Sequence, residues 1–222
     1  MGLQIEESQP VLNATLGQTL PSIINLGSGK NFREDALNLD IEAGWSPDLV
    51  ADLNEPFPAP GRRYATKRFG AVEIRPGTFD EIVAQDVLEH IRELPTAMTS
   101  CLDLLRVGGV LRVSVPYDLS LGAWSDPTHV RAFNERSWDY YTKWCWYFGW
   151  QEYAFHQQKI EFEVSELGEE LAAQGVSVAE ISRTPRAVNA MYVELVKIEL
   201  SEEGKGIARR FRAARVPAAG QH

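Results

Sequence analysis

The chain has 222 residues, 44% hydrophobic and 24% charged, with a formal net charge of −9. That length and balance fit one globular domain able to bury a full core without cross-links. Two cysteines, Cys101 and Cys145, give no disulfide framework and no metal motif. No apolar run approaches the ~18 residues of a membrane span, and the acidic balance argues against a broad grip on bulk nucleic acid. The first twenty residues lack a secretory leader pattern, so a cytoplasmic setting is expected.

In chain order, residues 22–26 (Ser-Ile-Ile-Asn-Leu) predict a buried strand ending at Gly27-Ser28-Gly29. Residues 36–39 predict a second strand ending at Asp40. Only seven residues, 30–36, lie between Gly29 and the end of that link. A crossover carrying a full helix takes about a dozen or more, so this helix is expected to be shortened or lost. Between 52 and 79 the pattern is ambiguous, with one strand expected near 71–74. Residues 79–84 (Phe-Asp-Glu-Ile-Val-Ala) predict a further strand. Residues 96–105 predict a helix with Met98, Leu102 and Leu105 on one face, ended by Gly108-Gly109. Residues 110–115 alternate and are β-branched, and Pro116 stops them. A strand at 160–164, a helix around 166–174 and a strand at 191–198 follow. Alternating strands and helices imply a mainly parallel sheet, whose ligands sit beyond the strands' carboxyl ends.

The residues after each strand therefore carry the functional argument. Gly-x-Gly permits a sharp turn and close ligand approach, although a simple strand-ending turn has the same look. The third glycine of a dinucleotide fingerprint is absent, Phe occupying position 32, and no Gly-Lys-Ser/Thr follows. Asp40 suits ribose hydroxyls, or alternatively a turn or helix cap. Together these features fit a nucleoside without a pyrophosphate.

Four ordered segments carry a resemblance: Asn-Leu-Gly-Ser-Gly, the strand ending at Asp40, Phe-Asp-Glu-Ile-Val-Ala-Gln-Asp-Val-Leu-Glu-His-Ile, and Leu-Leu-Arg-Val-Gly-Gly-Val-Leu. From about 22 to 116 the chain resembles the class I S-adenosylmethionine-dependent methyltransferases. Val-Leu-Glu-His-Ile and a later Asp-Pro-Thr-His resemble a branch of small enzymes within them. The resemblance implies a Rossmann-like, doubly wound, mainly parallel seven-stranded sheet with helices on both faces and an antiparallel C-terminal strand. It implies S-adenosyl-L-methionine as cofactor. Gly27, Ser28 and Gly29 would pass under its methionine portion, Asp40 would hold the ribose, and Asp52 and Leu53 would meet the adenine. Gln85 or Asp86 would contact cofactor or substrate, and His90 would begin the next helix as a packing residue. Asn25 departs from the family's usual acidic residue at that point.

A single domain over 1–200 is expected, with an aromatic-rich insertion at about 117–150. Five of six tryptophans fall there. These rings suit a substrate wall or lid, or instead a self-packed cap or a homodimer contact. Within the segment, Trp124, His129 and Arg131 are candidates to bind substrate. His129 is the candidate general base, with Tyr117 and Asp118 as rivals. No His, Asp or Cys run has metal-ligand spacing, so metal independence is expected. The acceptor is expected to be a small molecule or saccharide. A nicotinamide oxidoreductase and a non-catalytic binding module on the same fold are the competing functions. Residues 201–222, with Lys205, Arg209, Arg210, Arg212 and Arg215, are expected to form a basic, flexible tail.

Overall fold

Short runs of Ile, Leu and Val form the centre of the computed structural model, which describes residues 19–215. The strands are β1 (Ile23–Leu26), β2 (Leu37–Asp40), β3 (Leu49–Val50), β4 (Arg63–Thr66), β5 (Gly70–Glu73), β6 (Phe79–Gln85), β7 (Leu105–Pro116), β8 (Tyr153–Val164) and β9 (Val188–Glu199). Seven of them make one sheet in the order β3-β2-β1-β6-β7-β9-β8. Its pairs are parallel except those of β9, which runs antiparallel to both β7 and β8. β4 and β5 form a separate antiparallel hairpin, so the strand expected near 71–74 lies outside the main sheet. This is the Rossmann-like, mainly parallel sheet with an antiparallel C-terminal strand.

The helices are α1 (Leu94–Leu104), α2 (Gly122–Ser125), α3 (Asp139–Thr142), α4 (Glu166–Ala173), α5 (Val178–Ile181) and α6 (Glu202–Arg215). They cover the sheet unequally. α1 buries Leu94, Ala97, Met98, Cys101 and Leu102 in the core that contains Ile24, Phe79, Ile82 and Leu111. The other face of β6, β7, β9 and β8 carries Glu81, Gln85, Arg112, Glu194, Tyr192 and Lys159 around an open polar groove.

No helix forms between β1 and β2, and a buried polar network holds the short link instead. Asn25 donates its amide to Asn38 Oδ1 (3.1 Å) and to the Asn31 carbonyl (2.9 Å). Asn38 donates its backbone and side-chain N–H to Asp48 Oδ2 (2.9 and 3.0 Å). Arg68 closes the network with two bonds to the Asp48 carboxylate, each 2.7 Å. An aspartate at position 25 would lack the amide donor that Asn38 and the link require.

Two expectations are corrected. α1 ends at Leu104 without a glycine, and β7 begins at once. Gly108-Gly109 instead belong to a bulge: Phe79 pairs with Leu105 but Glu81 pairs with Val110. Gly108 has φ +81°, and a Cβ on Gly109 would lie 3.0 Å from the Asp80 carbonyl, so the bulge needs residues without one. The second correction is the basic tail. Residues 202–215 are α6, which begins with Glu202 and Glu203 and so suits the helix dipole. Lys205 donates to Glu199 Oε1 (2.6 Å) with Glu152 and Glu202 at 3.4 Å, and Phe211 packs on Trp146 at 4.3 Å. Residues 216–222 lie outside the described residues, as do residues 1–18.

Burial pushes the Asp48 carboxyl upward, but the Arg68 and Asn38 hydrogen bonds outweigh it and hold the group below the usual aspartate value. A lowered folded value stabilises the fold above the unfolded value of about 4 and loses that contribution as pH falls through it. Arg68→Ala is expected to cost on the order of 2 kcal/mol at pH 7, less than a fully buried pair because Arg68 meets water. It should also flatten the loss of stability on acidification. Urea unfolding at pH 7 and near pH 4 checks both.

Candidate functional site

The carboxyl ends of β1, β2, β3 and β6 converge on a cleft of about 600 Å³. Gly27, Asp40, Asp52, Leu53 and Asp86 line it, with Ile41, Trp45, Val87, His90 and Thr128 beside them. The bend at the end of β1 is tight because Gly27 has φ +57° and a Cβ there would meet Val87 Cγ2 at 2.4 Å. Ser28 donates its backbone N–H to the Leu39 carbonyl (3.0 Å), and its Oγ is buried without a hydrogen-bond partner among the described residues. Gly29 donates its N–H to Asp40 Oδ2 at 2.7 Å, and Glu42 donates to Oδ1 at 2.8 Å. Asp40 thus faces the Gly-x-Gly bend, and each carboxylate oxygen keeps acceptor capacity.

Beyond β3, Asp52 Oδ1 accepts from both the backbone and the side-chain N–H of Asn54, each 2.8 Å. Asn54 in turn accepts from the Arg92 and Glu93 amides before α1 (2.9 and 3.0 Å), which fixes this loop against the far wall. Ile41 and Trp45 are 62% and 53% exposed and give the cleft an apolar side. Glu42 caps the short turn Ala43–Trp45 by accepting from Gly44 N–H, which sets the indole in place. Asp86 has φ +52° at the tip of β6. Burial pushes its carboxyl upward, against the charges of His129 and His90. Gln85, one residue earlier, points the other way and lines the open sheet groove. The alternation of a strand separates the two expected contacts, and only Asp86 lines the cleft.

His90 lines the other end of the cleft, and behind it lie Glu89 and His129, with ligand-capable atoms of the three all within 4.8 Å of one another. The His90 and His129 rings meet edge to face at 4.7 Å. Glu89 is 1% exposed, and neither carboxylate oxygen has a hydrogen-bond partner among the described residues. Burial above all pushes its carboxyl up to about 7. His129 Nδ1 lies 2.9 Å from the Ala123 carbonyl, which can only accept, so Nδ1 carries the proton and Nε2 keeps a lone pair. Thr128 donates its hydroxyl to Asp126 Oδ1 (2.6 Å) and therefore accepts from His90 Nδ1 (2.9 Å). His90 Nε2 is left as an acceptor by the same reasoning. His90, expected only to pack, is thus part of the cleft wall.

The rival bases lie elsewhere. Tyr117 donates to Glu135 Oε2 (2.8 Å), and burial followed by that carboxylate pushes its hydroxyl upward. Asp118 accepts from Asn134 (2.9 Å), and both residues line a separate pocket with Ser182 and Arg183. Trp124 is exposed on α2 and is not among the residues lining the cleft. Arg131 donates to the Arg92 carbonyl (2.7 Å) and braces the loop rather than opening onto the cleft.

The aromatic segment mostly packs on itself. Phe133 stacks on the fully buried Trp138, Tyr141 stacks on Phe148, and Trp150 donates its indole N–H to Thr99 Oγ1 (3.0 Å). The wall of the cleft comes instead from Ile41 and Trp45. Trp45 is the tryptophan outside that segment, and Glu89 had been hidden in a helix-opening motif. The sequence signal for Trp45 is a large ring five residues past the strand tip at Asp40.

No protein-family model matches the chain, and no curated protein matches it in sequence. Solved structures do. A SAM-dependent methyltransferase from Archaeoglobus fulgidus aligns over 80% of this chain and 86% of its own, with 16% identity and a TM-score of 0.51. The [4+2]-cyclase SpnF aligns over 79% and 74%, with 17% identity and a TM-score of 0.48. The YcgJ protein from Bacillus subtilis aligns over 82% and 94%, with 12% identity and a TM-score of 0.49. The first of these, with the strand order, shows that the chain has the class I methyltransferase fold. Among the described residues, no helix is long and apolar enough to cross a membrane.

Gly27→Ala forces a side chain into a left-handed backbone and onto Val87. It is expected to destabilise the fold by roughly 2–4 kcal/mol, combining the backbone and overpacking costs. Thermal unfolding checks it, and a chain as stable as the original would contradict the close approach at this bend.

Proposed function

We propose that the cleft binds S-adenosyl-L-methionine and that the protein transfers its methyl group to an oxygen or nitrogen of a small-molecule or saccharide acceptor. The observation that carries this reading is the 2.7 Å bond from Gly29 N–H to Asp40, which sets a carboxylate and a glycine bend on one side of a nucleoside-sized cleft. The residues present fit that ligand. Asp40 has acceptor capacity for two ribose hydroxyls, and Asp52 with the Leu53 backbone suits an adenine edge. Ile41 and Trp45 suit the apolar faces of the base. Gly27 lines the cleft at a bend that only a residue without a Cβ makes against Val87.

When bound, this cofactor supplies a methyl carbon on a sulfonium, and the C–S electron pair stays with sulfur as the acceptor–carbon bond forms. The protein's own work is to align, to exclude water and to take one proton. Gly27 and Asp86 would hold the methionine end of the cofactor, and His90 and Thr128, farther along the same cleft, would meet an acceptor. His129, which packs on the cleft-lining His90, is the proposed proton acceptor: in its neutral ring the Ala123 carbonyl takes the Nδ1 proton and Nε2 keeps a lone pair, with Asp126 Oδ2 4.0 Å away to face the imidazolium formed. Arg131 and Trp124 have supporting roles at most: the first braces the His129 loop from behind. The Val-Leu-Glu-His-Ile branch and a cytoplasmic location belong to the same reading. A dimer contact would fall on the exposed rings of Tyr140, Trp144 and Tyr147.

Calorimetry on the full chain tests the cofactor: S-adenosylmethionine or its demethylated product should bind, and a nicotinamide dinucleotide should not. Asp40→Ala is expected to weaken binding by about 10–100-fold, the worth of hydrogen bonds to a charged group. Binding unaffected by that change, or absent in the original chain, would sink the proposal. On an acceptor found by screening with a methyl-labelled donor, His129→Gln is expected to slow turnover by about 10²–10⁴-fold while cofactor affinity holds.

A further inference from the structure

We infer that Glu89, His90 and His129 form a binding site for a divalent transition-metal ion of the zinc type, at the acceptor end of the cleft. The donor set is two imidazole nitrogens and one carboxylate, the set that zinc and its neighbours take in open, three-ligand sites. The three groups already bring ligand-capable atoms within 4.8 Å of one another. Donors about 2.0–2.2 Å from a tetrahedral ion lie about 3.3 Å apart, so small side-chain adjustments complete the geometry.

The surroundings are those of a metal site rather than of a chance cluster. Each histidine has its Nδ1–H committed to an outer partner, His129 to the Ala123 carbonyl and His90 to Thr128 Oγ1. Thr128 is itself held by Asp126. Such outer bonds fix imidazole orientation and aim the Nε2 lone pair at an ion. The carboxylate supplies the second, independent observation. Glu89 is 1% exposed, its two oxygens have no hydrogen-bond partner among the described residues, and the two histidines stand beside it. A buried carboxylate without a partner is costly, and a cation between it and the imidazoles removes that cost.

The local fold explains how the site is assembled. The short turn Leu88–His90 is separated from the end of β6 by two residues, and the Val130 amide donates to the Glu89 carbonyl (2.9 Å), which pins the Asp126–Arg131 loop against that turn. Residues 39 positions apart therefore meet, a pairing that linear spacing does not reveal. His90 and Thr128 line the cleft, so an ion here would keep its remaining coordination position toward an acceptor. An acceptor hydroxyl on that position would be made more acidic by the ion. The inference concerns binding by these three residues: in the metal-loaded chain His129 Nε2 is a ligand, and it serves as proton acceptor only in the metal-free chain, so the two roles are tested separately.

The test uses the full chain freed of metal by chelation and then titrated with Co²⁺ and Zn²⁺. Expected are one equivalent of Co²⁺ per chain with a visible d–d band, its displacement by Zn²⁺, and a rise in Tm on loading. Glu89→Gln and His90→Ala should each weaken Co²⁺ binding by about 100-fold or more. His156→Ala, an exposed histidine on β8, should leave it unchanged. Glu89→Gln keeps the size and polarity of the buried side chain while removing the anionic ligand, so a folded variant that no longer takes up Co²⁺ reports the ligand rather than the packing. His90→Ala, at a partly exposed position, serves if the buried variant misfolds. No stoichiometric uptake, or uptake indifferent to both substitutions, would overturn the site.

Discussion

The Asp48 carboxylate holds the structure's most consequential polar contact. It accepts from Asn38 twice and from Arg68 twice, and through Asn38 it reaches Asn25 and the helix-free link. A helix in that crossover would have supplied its own hydrogen bonds and an apolar face. Without it, the backbone between Gly27 and Ala36 needs side-chain partners, because buried backbone groups cannot be left unpaired. Asn38 is fully buried and its side chain makes three such contacts, accepting from the Arg33 N–H and donating to the Arg33 and Ala36 carbonyls. The polar network therefore does locally what secondary structure does elsewhere in the sheet. Its result is that Gly29 and Asp40 face each other across a fixed distance.

The cleft built on that support has two chemically different ends. One is formed by strand tips, a glycine bend and fixed carboxylates with spare acceptor capacity, and has Ile41 and Trp45 as its apolar side. The other is formed by one turn and one loop carrying a buried carboxylate and two imidazoles. The parallel sheet explains the first: neighbouring strands end at the same edge, so residues far apart in sequence share a rim. Nothing general to the fold dictates the second. It depends on the contact between the Leu88–His90 turn and the Asp126–Arg131 loop, held by the Val130 amide and the Thr128 hydroxyl.

Much of this was legible beforehand because local composition and position agree. The β-branched run at 110–115 and the run at 79–84 could hardly be anything but strands, and the residues after them fall on the cleft. Gln85 and Asp86 show the limit of that logic: adjacent residues at a strand tip point to opposite faces, and composition does not say which. Gly108-Gly109 misled because the same pair ends helices and makes bulges, and only pairing with β6 distinguishes them. Residues 202–215 look like a charged terminus, yet acids first and arginines last favour a helix, and Phe211 finds Trp146. The rings of 117–150 were visible as composition, but composition cannot tell a wall facing a ligand from rings facing one another. Glu89 and His129 were separated by a distance in sequence that hides contact.

β8 lies at the border of the sheet, with one side of its backbone unpaired over twelve residues. A flat apolar strand of that length would recruit strands from other molecules. This one resists in two ways. Its register slips between Gln157 and Lys159, which bends the ladder, and Lys159, Glu161 and Glu163 place charge of both signs on the water-facing side. The sparse helical cover on that side thus has a second outcome besides an open groove. The wet surface supplies the charges that keep the sheet's border from growing, and the fold ends there without a helix to cap it.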